Sequence, residues 1–560
     1  MHDSTTDATV RTARRGSPFA ALGTRLTARR ATLLAVLGTS LPATRAGAQA
    51  PVQPPPHAHG GLGTVRFPTS CRSEVGPATD RAAALLHSFE FGAATRAFEG
   101  VLAVDSTCAM AHWGIALAQW SNPFSVAVRP PAALARGRRA VEAARAVAGS
   151  ATARERAWID AVARLYDDAA RPDQPSRVAA YERAMADVVA RHPDDTEARI
   201  FHALAVVATA PPTDKRYANQ RRAGATLEAL WVAQPDHPGL AHYIIHSYDV
   251  PALAPLAATA ARRYAEIAPA AAHALHMPSH TFTRVGAWEA SVRANRRSAE
   301  AAERAGSAAE VLHASDYLTY AYLQLRQDSS ARAVRDALPA IAARFDPAAV
   351  TGAAPGSAGI FALASIPARV ALERDAWAEA AALVPTPSAF PWADAVTHFA
   401  RALGAARLGR PAEAHPAADS LAAIRARLAA SGDGYWAEQV AIQELGARAW
   451  IALAEGRRDA ALDTMRAAAA REDSTEKSGV TPGPLAPARE LLGDMLRQVG
   501  RPAEALAEYR RTLAREPLRF RSLDGAWRAA TAAGDRTAAA GYAAELRRLT
   551  GASPAARRRG

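Results

Sequence analysis

From Ala488 to Pro517 the chain reads ARELLGDMLRQVGRPAEALAEYRRTLAREP, with large apolar, small and polar positions recurring at helical spacing. Leu492 and Tyr509 are large enough to fill the space between two helices, and Gly493 and Ala505 are small enough to let those helices approach. Gly500 marks a turn. Pro517 ends the second helix, because proline has no amide hydrogen and its ring clashes with the preceding turn. The pattern predicts an antiparallel helix pair. Weaker copies occur upstream: Ala94, Phe98, Leu102 and Asp105, followed by His112-Trp113-Gly114, read as the second helix of one unit and the first of the next. Gly286-Ala287-Trp288, Leu408 to Ala414 and Gly456 to Ala461 read as further corners, and His192 to Asp195 and Gln234 to Pro238 as turns between units. Helical hairpins are therefore expected from residue 67 to residue 549. Loop-like interruptions near 346–360 and 471–487 divide the array into an N-terminal part, 67–345, and a C-terminal part, 361–549, before a basic tail at 550–560.

Composition agrees with an all-α chain. Of 560 residues 49% are hydrophobic but only 6% aromatic, so alanine supplies much of the apolar content. The net charge is +13, yet residues 1–48 hold seven arginines against two aspartates, which leaves about +8 on the rest. Lys215 and Lys477 are the only lysines. Outside Arg557-Arg558-Arg559 the arginines are interleaved with acids, and no basic stripe carries aromatics. A nucleic-acid partner is not expected.

The first 48 residues read as a signal peptide. Arg29-Arg30 precede an apolar run from Ala31 to Leu41, and Ala46-Gly47-Ala48 supplies small residues before a cleavage point after Ala48. The expectation is a periplasmic or secreted protein, with an uncleaved N-terminal membrane anchor as the alternative, and no transmembrane span in the mature chain. Residues 49–66, with Pro54-Pro55-Pro56, read as a flexible linker. An oxidising compartment makes the two cysteines, Cys71 and Cys108, a disulfide pair.

The Ala488–Pro517 spacing resembles the tetratricopeptide repeat, and the resemblance extends loosely over most of the mature chain. The phrases CAMAHWGIAL, HALHMPSHTFTRVGAWEAS and VTPGPLAPARELLGDML are similar to a group of exported bacterial tetratricopeptide-repeat proteins. What the resemblance implies is a right-handed solenoid of helical hairpins whose concave wall is lined by the first helix of each unit. Such an architecture serves binding, and the fold alone assigns no chemistry.

Histidine placement changes this picture most. Of sixteen histidines, six fall between residues 242 and 313. His242 and His246 are spaced i, i+4, with Asp249 three residues on; His273, His276 and His280 are spaced i, i+3, i+7, and so are His313, Asp316 and Tyr320. Each set lies on one face of its helix. In the repeat register these faces line the concave wall, with His202 placed on the preceding unit. Imidazoles converging from neighbouring helices suit zinc, copper, nickel or iron. The expected site is one transition-metal ion held by His242, His246, His276 and His280, with His273, His313, Asp249 and Asp316 as further ligands or their partners and His202 and Tyr320 on the groove wall. Tyr317 and Tyr322 are expected to pack between helices, and Pro278 to kink the histidine-rich helix. His87, His192, His398 and His415 read as ordinary core or surface histidines.

The alternatives are a metal-free groove holding a peptide, a partner protein or a small molecule and, third, a metal-dependent hydrolase or other metalloenzyme. A zincin motif is excluded because Tyr243 stands where the glutamate base belongs. There is no GxSxG, no CxxCH and no phosphate-binding glycine loop. No catalytic residue is assigned.

Overall fold

A computed structural model describes residues 60–125, 129–167 and 174–551. The expected signal segment, most of the linker and the basic tail lie outside the described residues. Everything described is helix, turn or loop, and successive helices pack as antiparallel hairpins. The architecture is thus all-α, an array of helical hairpins.

The hairpins are built as the local pattern requires. Helices Ala488–Gln498 and Pro502–Arg515 form the unit read from sequence. Gly500 joins them at φ +80°, a conformation that L side chains resist. A Cβ on Gly493 would come within 2.9 Å of the Tyr509 ring, so only glycine admits the tyrosine, whose hydroxyl donates to Asp494 Oδ1 at 2.6 Å.

Two large apolar cores result, one built from residues between Leu62 and Met277 with Ala353, the other from residues between Phe361 and Ala530. Helix Ala308–Gln324 runs between them and is buried at all 17 positions, although it carries Glu310, His313, Asp316 and Gln324. Some of its polar atoms, Glu310 Oε2, His313 Nδ1, Asp316 Oδ2 and Gln324 Nε2, are buried without a hydrogen-bond partner.

The array curls until distant units touch. Trp288 Nε1 donates to the Leu518 carbonyl at 3.0 Å, and a Cβ on Gly286, at φ +72°, would lie 2.5 Å from the Pro517 oxygen. The two interruptions fill the interior. In the first, Ala353 and Ala354 are buried; Asn122 Nδ2 donates to the Ala353 carbonyl and the Ala354 amide donates to Glu310 Oε1. Thr475 to Pro484, in the second, crosses the concave face. Its backbone accepts bonds from Lys215 and Tyr435, its Thr481 hydroxyl from Arg369 at 2.6 Å. Neither loop separates domains: both are packed against helices of the two halves.

Residues 60–66, expected as the end of a flexible linker, are instead packed: Leu62 and Val65 are buried, and the Thr64 amide donates to the Asp236 carbonyl at 2.9 Å. Apolar side chains two or three apart were enough to dock this stretch. Cys71 and Cys108 are joined in a disulfide with Cα atoms 4.9 Å apart. No helix among the described residues is long and apolar enough to cross a membrane.

Candidate metal centre

The six clustered histidines meet as two abutting triads. His242 and His246, from helix Pro238–Ser247, join His273; His276 and His280 join His313 from helix Ala308–Gln324. Within each triad one ring nitrogen per residue lies within 4.8 Å of the others. Proline cannot bond back to the preceding turn, and helices Ala272–His276 and Pro278–Arg284 are separate elements; His273 and His276, both on the first, turn to different triads, and His280, on the second, joins His276.

In the first triad His242 Nε2 lies 3.1 Å from both His246 Nε2 and His273 Nε2. Its other nitrogen, Nδ1, donates to the His87 carbonyl at 2.7 Å, which fixes the tautomer because a carbonyl can only accept. Phe124 stacks on His246 at 4.2 Å and Phe89 stands edge-on to His242 at 4.4 Å, so apolar rings wall the site.

The second triad is oriented with equal care. His276 Nδ1 faces Asn295 Oδ1 at 2.7 Å, and the amide orientation is set because Asn295 Nδ2 donates to the Ser291 carbonyl at 2.9 Å. His280 Nδ1 donates to Asp249 Oδ2 at 2.9 Å. Asp249 also accepts from Arg284 Nε at 2.9 Å and from Lys477 Nζ at 3.3 Å. His276 Nε2 and His280 Nε2 then face each other at 3.1 Å.

Burial keeps these rings neutral. It pushes His242 and His313 down to about 3 and lowers His246, His273, His276 and His280 as well; the bond to Asp249 only partly offsets the effect at His280. Burial alone would raise Asp249, but Lys477 and Arg284 hold it well below the carboxylate range. Lys477 is itself pushed down to about 8 by burial. The result is six uncharged imidazoles beside one ionised aspartate and two cations. A cavity of about 300 Å³ opens onto both triads at His246, His273, His280 and His313.

The sequence-expected set of His242, His246, His276 and His280 is therefore not one ligand group: a member pair belongs to each triad, and His273 and His313 complete them. Asp249 bonds the outer nitrogen of His280. Asp316 instead pairs with Arg369 at 2.8 Å in a fully buried ion pair, and Tyr320 bonds Glu516 and Arg519 against the C-terminal hairpins. Tyr317, expected between helices, stacks on His280 at 4.8 Å. His313 has Tyr317 at i+4 on one side and Asp316 at i+3 on the other, so helical spacing alone does not say which of them turns to the site. His202 is elsewhere, bonded to Glu182 at 3.2 Å.

Sequence reading missed Asn295, Lys477 and Phe124, which come from another helix or from loops, and Arg284, which sits one turn after His280 on the same helix. It also missed a third group, in which the buried Glu197 bridges His87 Nε2 at 2.8 Å and His237 Nε2 at 3.0 Å. While His237 Nδ1 is buried without a partner, the carboxylate bonds Nε2 of both rings. Its effect on the site is indirect, through the His87 carbonyl that orients His242.

Comparisons add little. No family model and no curated protein matches the chain. Among solved structures it is similar to a human IFIT1 dimer with PPP-AAAA, at 11% identity and TM-score 0.37 over 86% of this chain and 95% of that one. A likeness to the APC/C hetero-tetramer Cut9-Hcn1 has 13% identity and TM-score 0.33 over 86% and 88%. Both fall below the similarity from which a shared fold or ligand follows.

Proposed function

We propose that this protein is an exported transition-metal-binding protein whose metal site is the histidine cluster at the centre of its helical array. The observation that carries the reading is the approach of His276 Nε2 to His280 Nε2 at 3.1 Å while both Nδ1 atoms are committed as donors. Neutral rings with the proton on Nδ1 present a lone pair, not a hydrogen, from Nε2. Two lone pairs at that distance repel, and a cation shared between them turns the repulsion into ligation. The bonds from Nδ1 to Asn295, Asp249 and the His87 carbonyl are the outer contacts that orient ligating histidines and raise their basicity.

A groove for an extended peptide is less well supported, because the chain's own residues 475–484 occupy that path. Export rests on the N-terminal pattern and on the Cys71–Cys108 disulfide, a bond suited to oxidising compartments.

Metal analysis of protein purified without a histidine tag tests the reading. Near-stoichiometric metal that a chelator removes is expected. Less than about 0.2 metal per chain after incubation with copper, zinc, nickel and iron salts would sink it; one bound ion corresponds to free energies of roughly 8 kcal/mol or more at micromolar affinity.

A further inference from the structure

We infer that the cluster holds two metal ions, one in each histidine triad, and that its chemistry selects copper in the +1 state. The inference rests on the metal-binding reading above and goes further in stoichiometry and identity.

The triads are separate ligand sets. Each brings three imidazole nitrogens within 4.8 Å of one another, and no larger group of the six meets that condition. One small cation cannot reach six nitrogens so disposed. Nor is either triad finished as an all-protein hydrogen-bond network: the Nδ1 atoms of His273 and His313 are buried without a partner, and in the second triad the lone pairs of His276 Nε2 and His280 Nε2 face each other.

Charge selects the ion. Neither triad contains a carboxylate or a thiolate. Asp249, the nearest acid bonded to a triad, addresses the outer nitrogen of His280 and is neutralised by Arg284 and Lys477, leaving this corner with net positive charge. Asp316 is matched by Arg369. Two divalent ions would add four positive charges to a buried space whose ligands are all neutral, at a cost of several kcal/mol per ion. Two monovalent ions add half of that. Three neutral nitrogens are a complete ligand set for a d10 monovalent copper ion, whereas divalent zinc adds a fourth ligand to reach a tetrahedron. Imidazole is a good copper ligand, and copper tops the affinity order of the divalent first-row ions should either ion be oxidised.

The test is anaerobic titration of the full untagged chain with Cu(I) held by bicinchoninate. Two equivalents per chain are expected, with X-ray absorption showing three nitrogen neighbours per copper and no sulfur. The double variant H276Q/H313Q should retain one equivalent, and H242Q/H273Q likewise one. A single equivalent in the wild type overturns the two-ion inference while the metal-binding reading stands. No uptake of Cu(I) or of any divalent ion overturns both. Preferential retention of Zn(II) from an equimolar mixture with Cu(I) overturns the copper assignment. Should the double variants fail to fold, the wild-type equivalents and absorption spectrum decide.

Discussion

His276 and His280 aim their Nε2 atoms at each other across 3.1 Å while Asn295 and Asp249 hold the opposite nitrogens at 2.7 and 2.9 Å. Two short helices meeting at Pro278 supply the rings, but Asn295, on helix Trp288–Arg304, and Asp249, in the loop after helix Pro238–Ser247, decide which way they point. The first prediction follows directly. His280→Ala removes one nitrogen of the second triad, so the rise in melting temperature on adding metal should fall sharply relative to wild type, where saturation at about 1,000 times Kd contributes roughly 4 kcal/mol. The metal-free variant should lose about 1–3 kcal/mol, since Asp249 keeps Arg284 and Lys477 as partners. His398→Ala, far from the cluster, should leave metal content unchanged. Equal thermal shifts in all three proteins would argue against the assignment.

Asn295 touches no metal in this arrangement and acts only through His276. Asn295→Leu leaves His276 Nδ1 without its acceptor and should weaken metal binding by about 10–100-fold. Asn295→Asp keeps an acceptor and should restore most of it. A merely structural role would show as lost melting temperature with affinity intact.

Glu310 bears on pH. Burial raises it to about 7; one oxygen accepts from the Ala354 amide and the other has no partner. The folded protein therefore keeps a proton that the unfolded chain loses above about 4.5. That contribution to stability is complete below pH 4.5, declines as pH rises, and is gone once pH passes about 7. Glu310→Gln removes the titration, and at pH 8 should unfold at higher denaturant than wild type, by about 2–3 kcal/mol. At pH 4 the two should nearly coincide. Glu90, raised in the same way, is the other group that would move this window.

The disulfide is separable from the site. Cys71 and Cys108 are 37 residues apart, a loop whose closure is worth about 3–4 kcal/mol. Converting both to serine should lower denaturant stability by that order without changing the number of metal ions bound. A parallel loss of metal would mean that the N-terminal hairpins set the triads' geometry more directly than their contacts indicate.

The array was legible in sequence because a helical hairpin is a local object. Gly493, Gly500, Ala505 and Tyr509 act within one unit, and their sizes alone state that two helices pack there and turn there. Histidine spacing was legible for the same reason: i, i+4 and i, i+3, i+7 place rings on one face whatever surrounds them. Tyr317 was misplaced because Tyr317 and Asp316 stand at i+4 and i+3 from His313, and only the packing of helix Ala308–Gln324 on both sides selects between them.

Residue order by itself determined an all-α array and a histidine-rich wall at its centre, since period and residue size act over one or two turns. Tertiary structure alone decided how the wall is divided. The loop bringing Lys477 to Asp249 across 228 residues and the carbonyl of His87 reaching His242 across 155 both depend on the curl of the array. Those contacts fix tautomer, charge and direction, which are properties of three-dimensional neighbours and have no period along the chain.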